Sequence, residues 1–160
     1  MGIKTLYLLR HAKAEEGRPF MPDKERALSE KGVKDAEKLA SRLSKKGLSL
    51  DLVLVSPSVR TITTGQIIAA GLHISSAHLL AKDSLYAAET MELLKIISSV
   101  SKKINRLMIV GHNPGLMNLA SFITGEPLSM ATCSLIKFSF DFKDWHEILT
   151  TRASKYSLLN

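Results

Sequence analysis

Short apolar runs alternate along the chain with longer stretches in which apolar residues recur at helical spacing. The apolar runs predict three buried β-strands, at 5–9, 52–55 and 107–110. Helical spacing predicts four α-helices, at 29–47, 58–70, 89–100 and 113–125. Two further strands are predicted at 74–82 and 134–140, with 145–151 as a hairpin partner for the second.

Capping residues predict where these helices begin and end. Ser29 is a good N-cap, and Gly47 is a plausible stop for the same helix. Asn113 is expected to cap the last helix, because Pro114 then falls in its first turn. In the third helix, Met91 is expected to face inward together with Leu94 and Ile97.

This order of elements predicts an α/β fold. Strands alternate with helices over most of the chain, and the end of the chain is rich in strands. We therefore expect a three-layer α/β/α sandwich, with a mostly parallel central sheet and helices on both faces. A length of 160 residues is typical of one domain, so residues 1–160 are predicted to fold together.

Charge and cysteine content limit the class of protein. The formal net charge is +7, and residues 1–47 hold 12 basic against 7 acidic side chains, so the chain should attract anions. One cysteine excludes an internal disulfide, and no Cys/His spacing fits a zinc site. No apolar run is long enough for a signal peptide or a membrane span. We expect a cytoplasmic protein that needs no metal or other cofactor and binds no membrane.

Basic and imidazole side chains follow each of the three strongest strands. The first strand leads into Arg10 and His11, the second into Ser56 and then Arg60, and the third into His112. In a parallel sheet these segments meet at the carboxyl edge, where ligands bind. We call Arg10, His11, Arg60 and His112 the Arg–His cluster, and we expect no carboxylate in it. Such a cluster suits a phosphoryl group or another oxyanion.

The same segments resemble the motifs of a known family. Arg10-His11-Ala12 is similar to the Arg-His-Gly signature of the histidine phosphatase superfamily, whose fold is phosphoglycerate mutase-like. Ser56-Pro57-x-x-Arg60 and Gly111-His112-Asn113-Pro114-Gly115 resemble its second and third motifs. Two further stretches resemble motifs of SixA-type phosphohistidine phosphatases. The first is Asp23-x-x-Arg26-Ala27-Leu28-Ser29-x-x-Gly32 and the second is Leu85-Tyr86-Ala87-Ala88.

The resemblance implies a role for each member of the Arg–His cluster. His11 would be the nucleophile, with its other ring nitrogen donating to a backbone carbonyl. Arg10, Arg60 and a protonated His112 would bind the phosphoryl oxygens. Asn113 and Ser56 are further candidates for substrate binding, although both also suit helix capping or a supporting role. Glu89 is the candidate general acid, with the start of a helix as the alternative.

The implied activity is that of a metal-independent phosphohistidine protein phosphatase. Its partner would be a histidine-phosphorylated protein, approached through the basic surface that precedes residue 48 and includes Lys31, Lys34 and Lys38. The absence of an obvious acid favours a P–N bond, because imidazole is a good leaving group. The alternatives are a small-molecule phosphomonoester phosphatase of the same superfamily, a non-catalytic phosphate-binding domain and a nucleic-acid-binding domain. Asp23 and Arg26 are expected to form a loop ion pair or to contact substrate at the rim.

Overall fold

A computed structural model describes residues 3–160 as a six-stranded sheet with four α-helices. The strands are β1 Lys4–Arg10, β2 Leu52–Val55, β3 Leu79–Ala81, β4 Arg106–Gly111, β5 Leu135–Phe140 and β6 Lys155–Leu158. The helices are α1 Glu30–Lys45, α2 Val59–Gly71, α3 Thr90–Ser98 and α4 Gly115–Thr124. None of the helices within residues 3–160 is long and apolar enough to cross a bilayer.

The strand order across the sheet is β3-β2-β4-β1-β5-β6. The four strands β3, β2, β4 and β1 run parallel to one another. Strand β5 runs antiparallel to β1, and β6 runs antiparallel to β5. The prediction of a mostly parallel sheet is confirmed. Because β2, β4 and β1 are adjacent and parallel, the segments that follow them emerge at one edge.

Helices cover both faces of the sheet, as predicted. Strand residues alternate between the faces, so that Leu8 packs into the core under α3 and α4 while Leu9 packs into the core under α1 and α2. Both side chains are fully buried. Such burial on both faces explains why the central strands read as continuous apolar runs rather than as alternating ones.

The buried face of α3 differs from the predicted one at its first residue. Met91 was expected to face inward, but its side chain is 58% exposed. The buried residues of α3 are Leu93, Leu94, Ile96 and Ile97. The inward stripe therefore begins two residues later than predicted, and Met91 lies in the first turn, where the helix projects beyond the core.

The predicted hairpin partner at 145–151 is wrong. Residues Trp145–Leu149 form a 3₁₀ helix, and the strand that pairs with β5 is β6. Trp145 and Ile148 are both buried, and their spacing of three residues places them on one side of a 3₁₀ turn. The Asp144 carboxylate caps this turn at the His146 N–H, and the Trp145 indole N–H donates to the Ile104 carbonyl.

Gly32 allows α1 to approach the segment that follows β1. The Ser29 side chain caps α1 at the Gly32 N–H, and the Ser29 N–H donates to the Lys13 carbonyl at 2.9 Å. A Cβ atom on Gly32 would lie 2.1 Å from that carbonyl oxygen. The glycine of the Asp23–Gly32 motif is thus required for a close backbone contact two residues from His11.

We predict that Gly32→Ala destabilises the fold although it replaces glycine within a helix. Alanine normally stabilises a helix, but here the methyl group collides with backbone that cannot move freely, which should lower the free energy of unfolding by more than about 1 kcal/mol. Ser41→Ala, an exposed substitution in the same helix, is the control and should leave the stability within about 0.5 kcal/mol of wild type. Urea unfolding measures both, and a Gly32→Ala protein as stable as wild type would contradict this packing.

Candidate active site

The Arg–His cluster assembles at the carboxyl edge of β1, β4 and β2. The His11 and His112 rings lie with their centroids 5.5 Å apart, and Arg60 Nη2 is 3.3 Å from His112 Nδ1. Arg10 is the last residue of β1, and Arg60 lies in the first turn of α2. The convergence that the strand order predicted is therefore observed.

His11 is buried and holds a single tautomer. Its Nδ1 is 2.7 Å from the Ala12 carbonyl oxygen, which can only accept, so Nδ1 carries the proton. Burial lowers the pKa of His11 to about 4, assisted by the charges of Arg60 and Arg10. The ring is therefore neutral near pH 7, with a free lone pair on Nε2. The backbone contact expected for the other ring nitrogen is present.

Thr64 holds the residue that follows His11. The Ala12 N–H donates to Thr64 Oγ1 at 3.1 Å, and that hydroxyl donates to the Arg60 carbonyl at 2.7 Å. Thr64 is fully buried. The hydroxyl thus links the end of β1 to the first turn of α2, which fixes the positions of two members of the cluster relative to each other.

His112 is also arranged as a neutral ring. Arg60 Nη2 can only donate, so His112 Nδ1 accepts from it, and His112 Nε2–H donates to Ser56 Oγ at 2.8 Å. Burial, followed by the charge of Arg60, lowers the pKa of His112 to about 4. His112 is thus neutral in the free site, and the protonated His112 expected with phosphate bound stays a prediction. Ser56 contacts His112, and its role in binding substrate stays a prediction.

A carboxylate contacts the cluster, contrary to expectation. Asp23 Oδ2 accepts from Arg60 Nη2 at 2.8 Å, and the Asp23 carbonyl accepts from Arg60 Nη1 at the same distance. Asp23 Oδ1 also pairs with Arg26, which confirms the predicted loop ion pair. Sequence spacing missed the contact with Arg60 because Asp23 lies on the long loop before α1 rather than after a strand.

Tyr86 completes the environment of Asp23. Its hydroxyl donates to Asp23 Oδ2 at 2.6 Å, and its ring lies 5.6 Å from that of His112 in an edge-on arrangement. The Tyr86 hydrogen bond, followed by that from Arg60, holds the pKa of Asp23 well below its usual range. The Leu85-Tyr86-Ala87-Ala88 motif was the available sequence signal for this contact, but it gave no indication of its partner.

Two buried guanidinium nitrogens in the cluster, Arg10 Nε and Arg60 Nε, have no acceptor among the described residues. Arg10 donates from Nη1 to the Met130 carbonyl at 3.1 Å, while its Nε–H is buried without a partner. Arg60 Nε–H is likewise buried and unpaired. Buried donors are nearly always satisfied in folded proteins, so these two groups point to an oxyanion as the missing acceptor.

Asn113 does not cap α4, so that prediction is wrong. The residue that precedes the helix is Pro114, and no side chain caps it. The Asn113 side chain instead donates from Nδ2 to the Met130 carbonyl at 2.7 Å, the same oxygen that Arg10 contacts. This bond holds the 130 segment against the cluster. The role of Asn113 in binding substrate stays a prediction.

Glu89 starts α3, which was the alternative considered for it. It is exposed, and its backbone N–H donates to the Glu92 carboxylate at 3.1 Å. It also lines a groove of about 660 Å³ that adjoins the cluster at Arg60 and His112. No hydrogen bond or ion pair joins the Glu89 carboxylate to the cluster, so its role as a general acid stays a prediction. Among residues 3–160, no group of three or more His, Cys, Asp or Glu side chains could hold a metal ion.

We predict that both histidines stay neutral well below pH 6.5 and that phosphate raises their pKa values. In the pH range from about 6.5 to about 4, unfolded histidines bind protons that the folded rings do not, so the stability of the free protein should fall as the pH falls. Ring ¹⁵N chemical shifts, assigned with His11→Ala and His112→Ala, measure the titration without and with inorganic phosphate. Either ring titrating at or above pH 6.5 in the free protein would contradict the assignment.

Comparison with known proteins identifies the family. Residues 6–83 match the family model of the histidine phosphatase superfamily (branch 1). An uncharacterized chloroplastic protein of Arabidopsis thaliana is 31% identical over 154 residues, which cover 90% of this chain and 70% of that protein.

Solved structures share the fold over nearly the whole chain. A protein of Agrobacterium tumefaciens provisionally assigned as the phosphohistidine phosphatase SixA is 26% identical, with a TM-score of 0.81 over 96% of this chain and 97% of that one. A protein histidine phosphatase SixA complexed with tungstate is 16% identical, with the same TM-score over 97% of each chain. Taken with the motifs and the assembled cluster, these matches show that the chain belongs to the histidine phosphatase superfamily and has a fold of the SixA type.

Proposed function

We propose that this protein is a phosphohistidine protein phosphatase that works through a phosphorylated His11. The observation that carries the proposal is the neutral, fixed His11 ring beside two buried guanidinium N–H groups without acceptors. A neutral imidazole is the nucleophilic form, and the guanidinium groups would bind the phosphoryl oxygens. The tungstate bound by the SixA structure is an oxyanion of the same kind, which supports this assignment.

In the first step, the lone pair of His11 Nε2 attacks phosphorus and the bond to the substrate nitrogen breaks. The electron pair of that bond goes to the substrate ring, which carries a proton on its other nitrogen and therefore leaves as neutral imidazole. Arg10 and Arg60 stabilise the charge on the phosphoryl oxygens. The Nδ1–H of His11 keeps its bond to the Ala12 carbonyl, which stabilises the positive charge that the ring gains.

In the second step, water attacks phosphorus and the bond to His11 Nε2 breaks. The electron pair returns to Nε2, so the neutral ring is restored, and a proton from water passes to solvent or to the phosphate released. Neither step requires an acid to protonate an oxygen leaving group.

The protonation state and contacts of the two carboxylates near the cluster favour phosphohistidine over a phosphomonoester as substrate. Asp23 is ionised and already accepts from Arg60 and Tyr86, so it has no proton to donate. Glu89 makes no hydrogen bond or ion pair with the cluster among the described residues. A P–N bond can break without a proton donor at the bridging atom, whereas an alkoxide needs one. A small-molecule phosphomonoester phosphatase stays the second candidate, because members of this superfamily share the fold and the cluster.

The partner and location of the protein belong to the same proposal. We propose a histidine-phosphorylated protein as the substrate, met in the cytoplasm and approached over the basic surface that precedes residue 48. The exposed residues Lys34 and Lys38 of α1 lie on that surface, while Lys31 is paired with Asp35 at 2.7 Å. Charge reversal of Lys34 and Lys38 should slow protein dephosphorylation and leave small substrates unaffected.

We predict that His11→Ala abolishes release of phosphate from a ³²P-phosphohistidine-bearing domain. Loss of the nucleophile should reduce the rate by about a thousandfold or more. His146→Ala replaces an exposed histidine after β5 and should retain wild-type activity. Release measured on sugar phosphates but not on the domain would contradict the proposal and favour the second candidate.

A further inference from the structure

The groove beside the Arg–His cluster is where a leaving group would lie. It has a volume of about 660 Å³ and adjoins the cluster at Arg60 and His112. Its walls are largely apolar and include Ala88, Met91 and Pro114. A planar ring attached to a phosphoryl group in the cluster would therefore find both space and apolar surface in the groove.

Two carboxylates and one guanidinium group line this groove. Its charged side chains are Asp23, Glu89 and Arg60, in addition to the imidazole of His112. The Arg60 charge is offset by Asp23, with both Nη atoms directed at that residue. The buried Nε–H of Arg60 has no acceptor among the described residues and is needed for the phosphoryl group itself.

Glu89 adds a carboxylate that no cation offsets. The four ion pairs of the described residues do not include it, and it lies on the groove wall at the start of α3. Among the described residues, the groove is lined by no cation other than Arg60, although the Lys24 ammonium lies 4.6 Å from the centroid of the Tyr86 ring at its wall. It offers a negative charge to a leaving group that is cationic.

From this charge pattern, and resting on the proposed function, we infer that Glu89 determines specificity by favouring a cationic leaving group. The group that meets this requirement is the ring of phosphohistidine protonated at its second nitrogen. Glu89 then acts as a fixed charge rather than as a proton donor. Substrates that carry a carboxylate or a second phosphate beside the scissile bond are disfavoured by the same charges.

Cleavage of the P–N bond of such a ring requires no further reactant. The protonated phosphoimidazole ring carries a positive charge beside the groove carboxylates. When His11 Nε2 bonds to phosphorus, the P–N electron pair returns to the ring, and the ring leaves as neutral imidazole with its second nitrogen still protonated. The groove therefore favours the cationic substrate ring over the neutral released ring, which helps the released ring to leave.

Three small substrates of similar ring size test this inference. Phosphoimidazole has a cationic ring when protonated, phenyl phosphate has a neutral ring, and 4-carboxyphenyl phosphate has an anionic ring. The measurement is kcat/KM for each substrate with wild type, Glu89→Gln, Glu89→Lys and Asp23→Asn. Asp51→Asn is the control, because Asp51 also pairs with an arginine but precedes β2 at the opposite edge of the sheet.

Removing the Glu89 carboxylate should change kcat/KM for the cationic and anionic substrates in opposite directions. We expect Glu89→Gln to lower kcat/KM for phosphoimidazole about threefold and to raise it for 4-carboxyphenyl phosphate by about the same factor. Glu89→Lys should give roughly the square of these factors. Asp23→Asn should instead lower kcat/KM for all three substrates, because Asp23 positions Arg60. Asp51→Asn should leave all ratios unchanged.

Two other outcomes would overturn the inference. Equal changes in kcat/KM for all three substrates in the Glu89 variants would mean that these variants only disturb the cluster, as loss of Arg60 positioning would. A Glu89→Gln loss that is largest for phenyl phosphate would mean that Glu89 is a proton donor. Both outcomes leave the proposed function standing, provided that wild type dephosphorylates phosphoimidazole in a His11-dependent way. A wild type that is inactive on phosphoimidazole would overturn the proposed function and this inference together.

Discussion

The contact between Arg60 and Asp23 is the interaction on which the rest of the candidate active site depends. Two arginines and two histidines meet at one sheet edge, where their charges would repel one another. Asp23 offsets one arginine, and burial keeps both imidazoles neutral. The same carboxylate also accepts a hydrogen bond from the Tyr86 hydroxyl, so it connects the loop before α1 to the loop before α3. A single anion thus fixes the geometry and keeps the net charge low enough for the site to form.

The neutral state of the two rings has a chemical consequence. His11 can act as a nucleophile only while its Nε2 lone pair is free, and the Ala12 carbonyl guarantees this by holding the proton on Nδ1. The positive charge needed for phosphate then comes from the arginines, whose unpaired Nε–H groups are the donors available to it. Nucleophile and anion-binding groups are thereby separated, which allows both functions within a few ångströms.

The sequence predicted most of the fold and part of the site. Strands buried on both faces give long apolar runs, and parallel strands place the residues that follow them at one edge, so β1, β2, β4 and the cluster were all predictable. Asp23 and Tyr86 both lie within motifs that resemble those of the family. The hydrogen bonds that Asp23 accepts from Arg60 and Tyr86 depend on loops that no periodicity describes. The Trp145 turn and the position of Asn113 were also missed, because each depends on a tertiary hydrogen bond to a backbone carbonyl.

The central claim is that His11 Nε2 carries the phosphoryl group during turnover. Rapid quench into alkali during turnover of a phosphohistidine-bearing domain, followed by peptide mass spectrometry, tests it directly, because phosphohistidine survives in alkali. The account predicts one phosphoryl group on the peptide that contains His11, attached to Nε2 since Nδ1 is held by the Ala12 carbonyl. Steady turnover with no phosphoryl group on that peptide, or with the group on another residue, would contradict it.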